Sequence, residues 1–395
     1  MDNLFGSASS TWLTKSACSL DAFRRLVEQD PDRATYPHCA AIENRVPIYD
    51  SREVVSCLDS PTALREIMAE WNAILHDGPG VLAFKRAFPD TAIIDEATVI
   101  LQSIIDAEAA AKQGKGDHFG KSGANARVWN AHEKLCLANP DAFIRYNANP
   151  IVALISRAWL GPLYQITAQV NVVYPGGDAQ IPHRDYHMGF QSLEQLENYP
   201  ANAHRMSASL TLQGAIAHCD MPIESGPTKL LPYSQLYLHG YLATLLEEFR
   251  SYFEANFVQL PLEKGDAVFF NPALFHAAGA NRTQNLSRFA NLLQVGSGYG
   301  RSIEIVNRAR ISKAVFPVLV GMVKEGRLSA REIEDVIAAT AEGYPFPTDL
   351  DVDSPLSGLA PASQQDLMRE ALRDGWDAAR FAGAIERYET VRRLV

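Results

Sequence analysis

The sequence predicts an α+β protein with a mainly β core, a sandwich or barrel of short strands, flanked by helices before and after it in the chain. Three observations carry this expectation. Apolar residues recur at helical spacing from Ser19 to about Ala111 and again after about Val306. Between Tyr164 and Ser297 they form short runs rich in Val, Phe and Leu, punctuated by Gly and Pro. With 395 residues, 47% of them hydrophobic, the chain has ample material for one large catalytic unit.

The first part, 1–160, reads as a helical layer. DAFRRLVEQ, SREVVSCLDSPTALREIMAEWNAIL and DEATVILQSIIDAEAAA keep helical spacing between Pro and Gly breaks, and GVLAFKRAF reads as a strand. AKQGKGDHFGKSGANARVWNAHEKL follows, and its glycines and small polar residues disfavour regular structure. It is expected to be an active-site loop over about 112–135, with His118, Arg127, Trp129 and His132 as its chemical handles. Arg127 and Trp129 are the substrate-binding candidates, a cation and a stacking surface over the site. A surface arginine and a core tryptophan are the competing reading.

The β core is placed at 161–300, from the runs YQITAQVNVVYPGG, MSASLTLQGAI, TKLLPYS, FVQLPL, DAVFFNP and RFANLLQVGS, with one helical interruption, SQLYLHGYLATLLEEFRSYF. The last part, 301–395, is a helical extension. Ser329 with Glu332 and Ser363 with Asp366 have the spacing of capping boxes, and the chain closes on the amphipathic DAARFAGAIERYETVRRLV.

Composition narrows the partners. Lys and Arg number 36 against 46 Asp and Glu, a formal net charge of −10, with no long basic run, so nucleic acid is not expected as a partner. Five cysteines without a CxxC pair suggest neither a disulfide framework nor a zinc knuckle. No leader and no run of apolar residues long enough to span a membrane is visible. The expectation is a cytoplasmic protein with no membrane partner, acting on a small molecule.

The chemistry is carried by QIPHRDYHMGFQ. His183 and Asp185 are two apart on an extended segment, so their side chains share a face and can reach one metal ion. Two imidazoles and one carboxylate on one face of an octahedron leave open positions, the arrangement of non-haem Fe(II) oxygenases. His276, 91 residues after Asp185 in GDAVFFNPALFHAAGANRT, is the candidate third ligand. Arg288 lies 12 residues further, alternating with Ala290, Leu292 and Gln294 on an otherwise apolar strand. An arginine facing such an interior needs an anionic partner, and its planar fork suits a carboxylate.

HRD, then GPTKLLPYSQ, then a GD strand ending in FH, then Arg288, resembles the phytanoyl-CoA dioxygenase family of 2-oxoglutarate enzymes between Tyr164 and Ser297. The resemblance implies a double-stranded β-helix of the jelly-roll, cupin-like type. It implies Fe(II) on His183, Asp185 and His276, 2-oxoglutarate with its distal carboxylate on Arg288, and O2 as second co-substrate. Pro232, Tyr233, Ser234 and Gln235 stand where the family usually has Pro-Gly-Ser-His, and Ala278 stands where a small hydroxyl residue often supports the arginine. The implied reaction oxidises a small organic substrate with release of succinate and CO2. Asp185 keeps a carboxylate among the ligands, so hydroxylation is the expected outcome.

Further candidates follow from strand alternation. Gln165, Thr167, Gln169 and Asn171 share one face of YQITAQVNVVYP, and Gln169 and Asn171 are the candidates for the co-substrate pocket. An ordinary solvent face is the other reading. In MSASLTLQG the polar residues Ser207, Ser209, Thr211 and Gln213 alternate with apolar ones, and Ser209 is the candidate donor to 2-oxoglutarate. His187 continues the register of His183 and Asp185, roughly 7 Å beyond Asp185, a distance suited to substrate. Two rival functions stay open at this level: a cupin-like metal enzyme of another class, such as an isomerase or a cofactor-independent dioxygenase, and a non-catalytic binding protein.

Overall fold

A sheet of eight strands runs through the middle of the protein, seen in a computed structural model that describes residues 11–111, 124–356 and 358–392. In chain order the strands are β1 (Ala41–Glu43), β2 (Val46–Asp50), β3 (Val81–Lys85), β4 (Asn125–Val128), β5 (Gln165–Val173), β6 (Thr211–Ala217), β7 (Lys229–Leu231), β8 (Ala267–Phe270), β9 (Phe275–Ala277) and β10 (Arg288–Gly296). The large sheet has the order β1-β2-β3-β8-β6-β10-β5-β4, while β7 and β9 form a separate pair. Only β2 and β3 are parallel; the other pairings are antiparallel.

Alternation decides what each face of the large sheet does. Ile166, Ala168, Val170 and Val172 of β5, Phe289, Leu293 and Val295 of β10, and Phe269 of β8 join a single apolar cluster with the helices, extending from Tyr36 to Ile385. The opposite faces contribute Val81, Ala83, Ala215, Ala217, Val268, Phe270 and Ala290 to a second cluster, which Leu230, Leu260, Leu262 and Leu274 complete. That second interior is the jelly-roll core expected from the sequence.

Four strands of the sheet come from 1–160, read as a helical layer: β3 is the strand expected in GVLAFKRAF, while β1, β2 and β4 were not expected. β1 and β2 form a hairpin through Asn44 and Arg45, both at positive φ, and β4 takes up part of the expected active-site loop. Residues 112–123 of that loop, His118 included, lie outside the described residues. The run FVQLPL supplies only isolated bridges, Leu230 to Val258 and Met221 to Leu262. The capping boxes at Ser329–Glu332 and Ser363–Asp366 are both formed. Arg308, at the start of the helix Arg308–Lys324, donates to the Ile166 carbonyl at 2.6 Å and the Ala339 carbonyl at 2.8 Å, tying the C-terminal helices to β5. All five cysteines are free, and no helix among the described residues is long and apolar enough to cross a membrane.

Candidate metal centre

His183 and His276 face each other as an antiparallel bridge, each backbone N–H donating to the other's carbonyl at 3.0 and 3.1 Å. That pairing sets the two imidazoles side by side, with ring centroids 4.5 Å apart. The Asp185 N–H donates to the Pro272 carbonyl at 3.0 Å, which holds the third side chain over the same point. The three side chains offer ligand atoms within 4.8 Å of one another, and no other such group of three occurs among the described residues. Asp185 lies 3.6 Å from His183 Nε2 and 3.4 Å from His276 Nε2.

The histidine tautomers follow from their partners. His183 Nδ1 lies 2.8 Å from the Ile181 carbonyl and His276 Nδ1 lies 2.8 Å from the Leu274 carbonyl. A carbonyl only accepts, so each Nδ1 carries a proton and each Nε2 is the atom left to face the shared centre. Burial by itself raises the Asp185 carboxyl. The facing histidines and the Gln213 amide outweigh that and hold it below the usual carboxylate range. Gln213 Nε2 donates to Asp185 Oδ2 at 2.5 Å and fixes its rotamer. Two imidazoles and one carboxylate converge on one point, a donor set that fits a divalent cation such as Fe(II), which takes each Nε2 lone pair in place of a proton.

Arg184, between two of these residues, points the other way and is buried. It donates to the Ser234 carbonyl at 2.5 Å and the Tyr237 carbonyl at 3.0 Å, between the rings of Tyr241 and Phe275. A Cβ on Gly240 would fall on its guanidinium, so only glycine lets the chain pass. Sequence reading passed over Arg184; the signal was a cation at the odd position of an extended motif, obliged to face the core.

The metal-ligand candidates open on a cavity of about 570 Å³, within the range of small-molecule sites. Arg127, Trp129, Gln169, Asn171, Gln213 and Arg288 line it together with an apolar wall that includes Leu230, Leu260, Val268 and Phe270. Arg288 is buried, and Nη1 donates to the Ser225 carbonyl at 3.1 Å and the Gly279 carbonyl at 3.2 Å. Those carbonyls meet because Gly226 adopts a positive φ of 72° against the Ala280 carbonyl, and Gly279 sits where a Cβ would lie 2.8 Å from the Gly226 carbonyl. Two backbone carbonyls thus do the supporting work for which Ala278 has no hydroxyl. Burial lowers the Arg288 guanidinium only to about 10, so it stays cationic at neutral pH, and it makes no ion pair among the described residues. A buried cation facing an enclosed cavity is the feature a carboxylate ligand would complete.

The remaining candidates divide. Arg127 and Trp129 are stacked, 4.9 Å from guanidinium to ring centroid, and Arg127 donates to Gln169 Oε1 at 2.9 Å. Asn171 lines the inner wall, pairing with Ala290 across β5 and β10. Ser209 does not reach the cavity. It is exposed at the end of the helix Ala201–Ser209, because strand geometry begins only at Thr211. The alternating pattern holds from there on, and Gln213 is the residue it brings to the metal centre. His187 also fails to continue the register. Tyr186 and His187 take φ of 65° and 44°, the chain turns into a 3-10 helix, and His187 is not part of the cavity wall.

Glu304 was not foreseen. Its Oε1 accepts the Asn130 N–H at 2.6 Å, and its Oε2 is buried with no hydrogen-bond partner among the described residues. Burial raises its carboxyl from 4.5 to about 7, against the Asn130 N–H, Lys134 and Arg127, which pull it down. A folded-state value above the unfolded one means the native state holds its proton more tightly. Its contribution to stability is therefore present below about 4.5 and is lost as pH rises through about 7. Glu304→Gln, neutral throughout, is expected to raise Tm at pH 8 relative to the parent and to leave it unchanged at pH 4.5. Equal Tm differences at both pH values in thermal melts would show that the charge carries no cost.

Similar solved structures include the non-haem α-ketoglutarate-dependent epimerase SnoN from nogalamycin biosynthesis, at 17% identity and TM-score 0.39, covering 60% of this chain and 84% of that one. The carbocyclase SnoK of the same biosynthesis is another, at 19% identity and TM-score 0.42, covering 60% and 84% respectively. No curated protein matches the sequence. The family model of phytanoyl-CoA dioxygenase matches residues 54–290, a span that holds the facing His183 and His276, Asp185 and the buried Arg288. The chain belongs to the phytanoyl-CoA dioxygenase family and is an Fe(II)- and 2-oxoglutarate-dependent oxidoreductase.

Proposed function

We propose that the protein hydroxylates a small organic substrate, with iron on His183, Asp185 and His276 and the distal carboxylate of 2-oxoglutarate on Arg288. The observation that carries this reading is the convergence of three metal-ligand side chains, on one cavity, with a buried arginine that makes no ion pair among the described residues. A cupin-like isomerase or a cofactor-independent dioxygenase has no use for that arginine. Bound iron(II) and 2-oxoglutarate supply the oxidising chemistry: O2 is consumed, 2-oxoglutarate becomes succinate and CO2, and one oxygen atom enters a substrate C–H bond.

The chain's own residues prepare that chemistry. Asp185 is anionic at neutral pH and Gln213 orients it, so a cation meets a formed ligand set rather than one that must first lose a proton. Arg288 holds one end of the co-substrate while Asn171 and Gln169 flank it on β5. Leu230, Leu260, Val268 and Phe270 give the cavity an apolar lining, which strengthens each polar contact inside. Arg127 and Trp129 present a cation and a ring at the side of the cavity where β4 closes it, suited to orienting the substrate.

Arg288→Ala is expected to weaken 2-oxoglutarate binding about a hundredfold or more, the cost of removing one partner of a buried charged pair. Calorimetric titration of the Mn(II)-loaded protein reads this, and unchanged affinity would remove Arg288 from the site. Hydroxylation itself is tested with a metabolite panel scored by succinate release. Products formed under isotopically labelled dioxygen should gain one labelled oxygen atom; a product that is desaturated, epimerised or cyclised without label overturns it.

A further inference from the structure

Gln213 and Gln294 are direct cross-strand partners on β6 and β10, on the face that lines the cavity. Both are buried, and the Oε1 of each has no hydrogen-bond partner among the described residues. The orientation of Gln213 is not free, because its Nε2 donates to Asp185 Oδ2, and a carboxylate accepts only. Its Oε1 is therefore the end left without a partner, and of the two residues paired with Gln213 across the sheet, Phe270 and Gln294, only Gln294 carries a hydrogen-bonding side chain. Side chains directly opposite across an antiparallel pair stand about 4.5–5.5 Å apart at Cβ, close enough for two amides to bond.

The polarity of Asp185 then propagates. Two buried amide oxygens without partners are costly, and one arrangement relieves the Gln213 oxygen. Gln294 turns its amide by half a turn and donates Nε2 to Gln213 Oε1. The group left facing the cavity is then the Gln294 carbonyl. Neither carboxylate nor keto group of 2-oxoglutarate has a hydrogen to give at neutral pH, so the co-substrate cannot satisfy that oxygen. We infer that Gln294 is a specificity-determining residue, its carbonyl receiving a hydroxyl or amino hydrogen of the primary substrate beside the metal centre. The inference rests on the proposed Fe(II) and 2-oxoglutarate site and names the substrate class it takes: an alcohol or amine whose donor lies near the carbon to be oxidised. Without the relay the Gln294 amide nitrogen faces the cavity instead, and acceptors such as ketones and ethers are preferred.

The two cases separate in a binding experiment on the full chain loaded with Zn(II) and 2-oxoglutarate, which cannot turn over. Ligand-observed NMR compares cyclohexanol with cyclohexyl methyl ether and cyclohexanone, which share a skeleton but differ in the donor. The alcohol is expected to bind about tenfold more tightly than either acceptor-only partner. In Gln294→Leu, and in Gln294→Met as a second replacement, that difference should fall to about twofold or less, with 2-oxoglutarate still bound. An ether or ketone that binds as well as the alcohol overturns the inference. So does a preference that survives both replacements, or a set in which no member binds. The 2-oxoglutarate signals in the same sample report the underlying site independently, so loss of co-substrate binding in the native protein would count against that site itself.

Discussion

Asp185→Ala is expected to fold but to lose Fe(II) affinity by about two to three orders of magnitude, and with it all succinate formation. Asp185 is the sole anion among the three ligand candidates, so its removal leaves two neutral imidazoles facing a divalent cation. It also leaves the Gln213 amide without its acceptor. Fold is preserved because the His183–His276 bridge and the Asp185 N–H bond to Pro272 are backbone contacts. Equilibrium dialysis against Fe(II) under anaerobic conditions gives the affinity, and the far-ultraviolet circular dichroism spectrum reports the fold. An Asp185→Ala protein that binds iron as tightly as its parent would place the metal elsewhere.

Arg184→Met is expected to cost about 2–4 kcal/mol of stability. Methionine keeps much of the apolar stem but takes the guanidinium donor from the Ser234 and Tyr237 carbonyls, which keep only the backbone N–H groups of Tyr237 and Gly240. It also removes the cation from between Tyr241 and Phe275. The segment these contacts fix carries His183 and Asp185 on either side, so iron affinity should fall with stability. Gly240→Ala is expected to act in the same direction, by placing a methyl group on the guanidinium. In the double variant the two costs should add to less than their sum, since the shortened side chain vacates the space the new methyl needs. Urea titrations of the four proteins measure the coupling, and strict additivity would mean that Gly240 and Arg184 do not meet.

Much of the candidate metal centre was legible because its logic is periodic. His183 and Asp185 share a face through a two-residue spacing, and Arg288 declares itself as a cation in register with Ala290, Leu292 and Gln294 on β10. Family resemblance then joined His276 to them across a gap that spacing does not determine. Periodicity failed where the backbone changes state without a compositional mark. MSASLTLQG alternates polar and apolar residues throughout, yet Ala201–Ser209 is helical, and the tertiary setting rather than the pattern places the change at Thr211. The continuation to His187 fails for a similar reason, since positive φ at a tyrosine and a histidine has no glycine to announce it. The β1–β2 hairpin turns through Asn44 and Arg45, of which only asparagine favours that conformation, so its turn signal is half missing. Glu304 was beyond the reach of pattern, because what distinguishes it is the scarcity of polar partners in three dimensions, whereas Arg184 was within reach as the cation between His183 and Asp185 on the opposite face.

The central claim is that His183, Asp185, His276 and Arg288 form one site for Fe(II) and 2-oxoglutarate. Its most direct test is anaerobic titration of Fe(II) into the protein with 2-oxoglutarate present, followed by visible absorbance. A metal-to-ligand charge-transfer band that saturates at one iron per chain, needs 2-oxoglutarate, and disappears in Asp185→Ala and His276→Ala is the predicted result. A protein that develops no such band, or keeps it when either ligand is removed, would contradict the account.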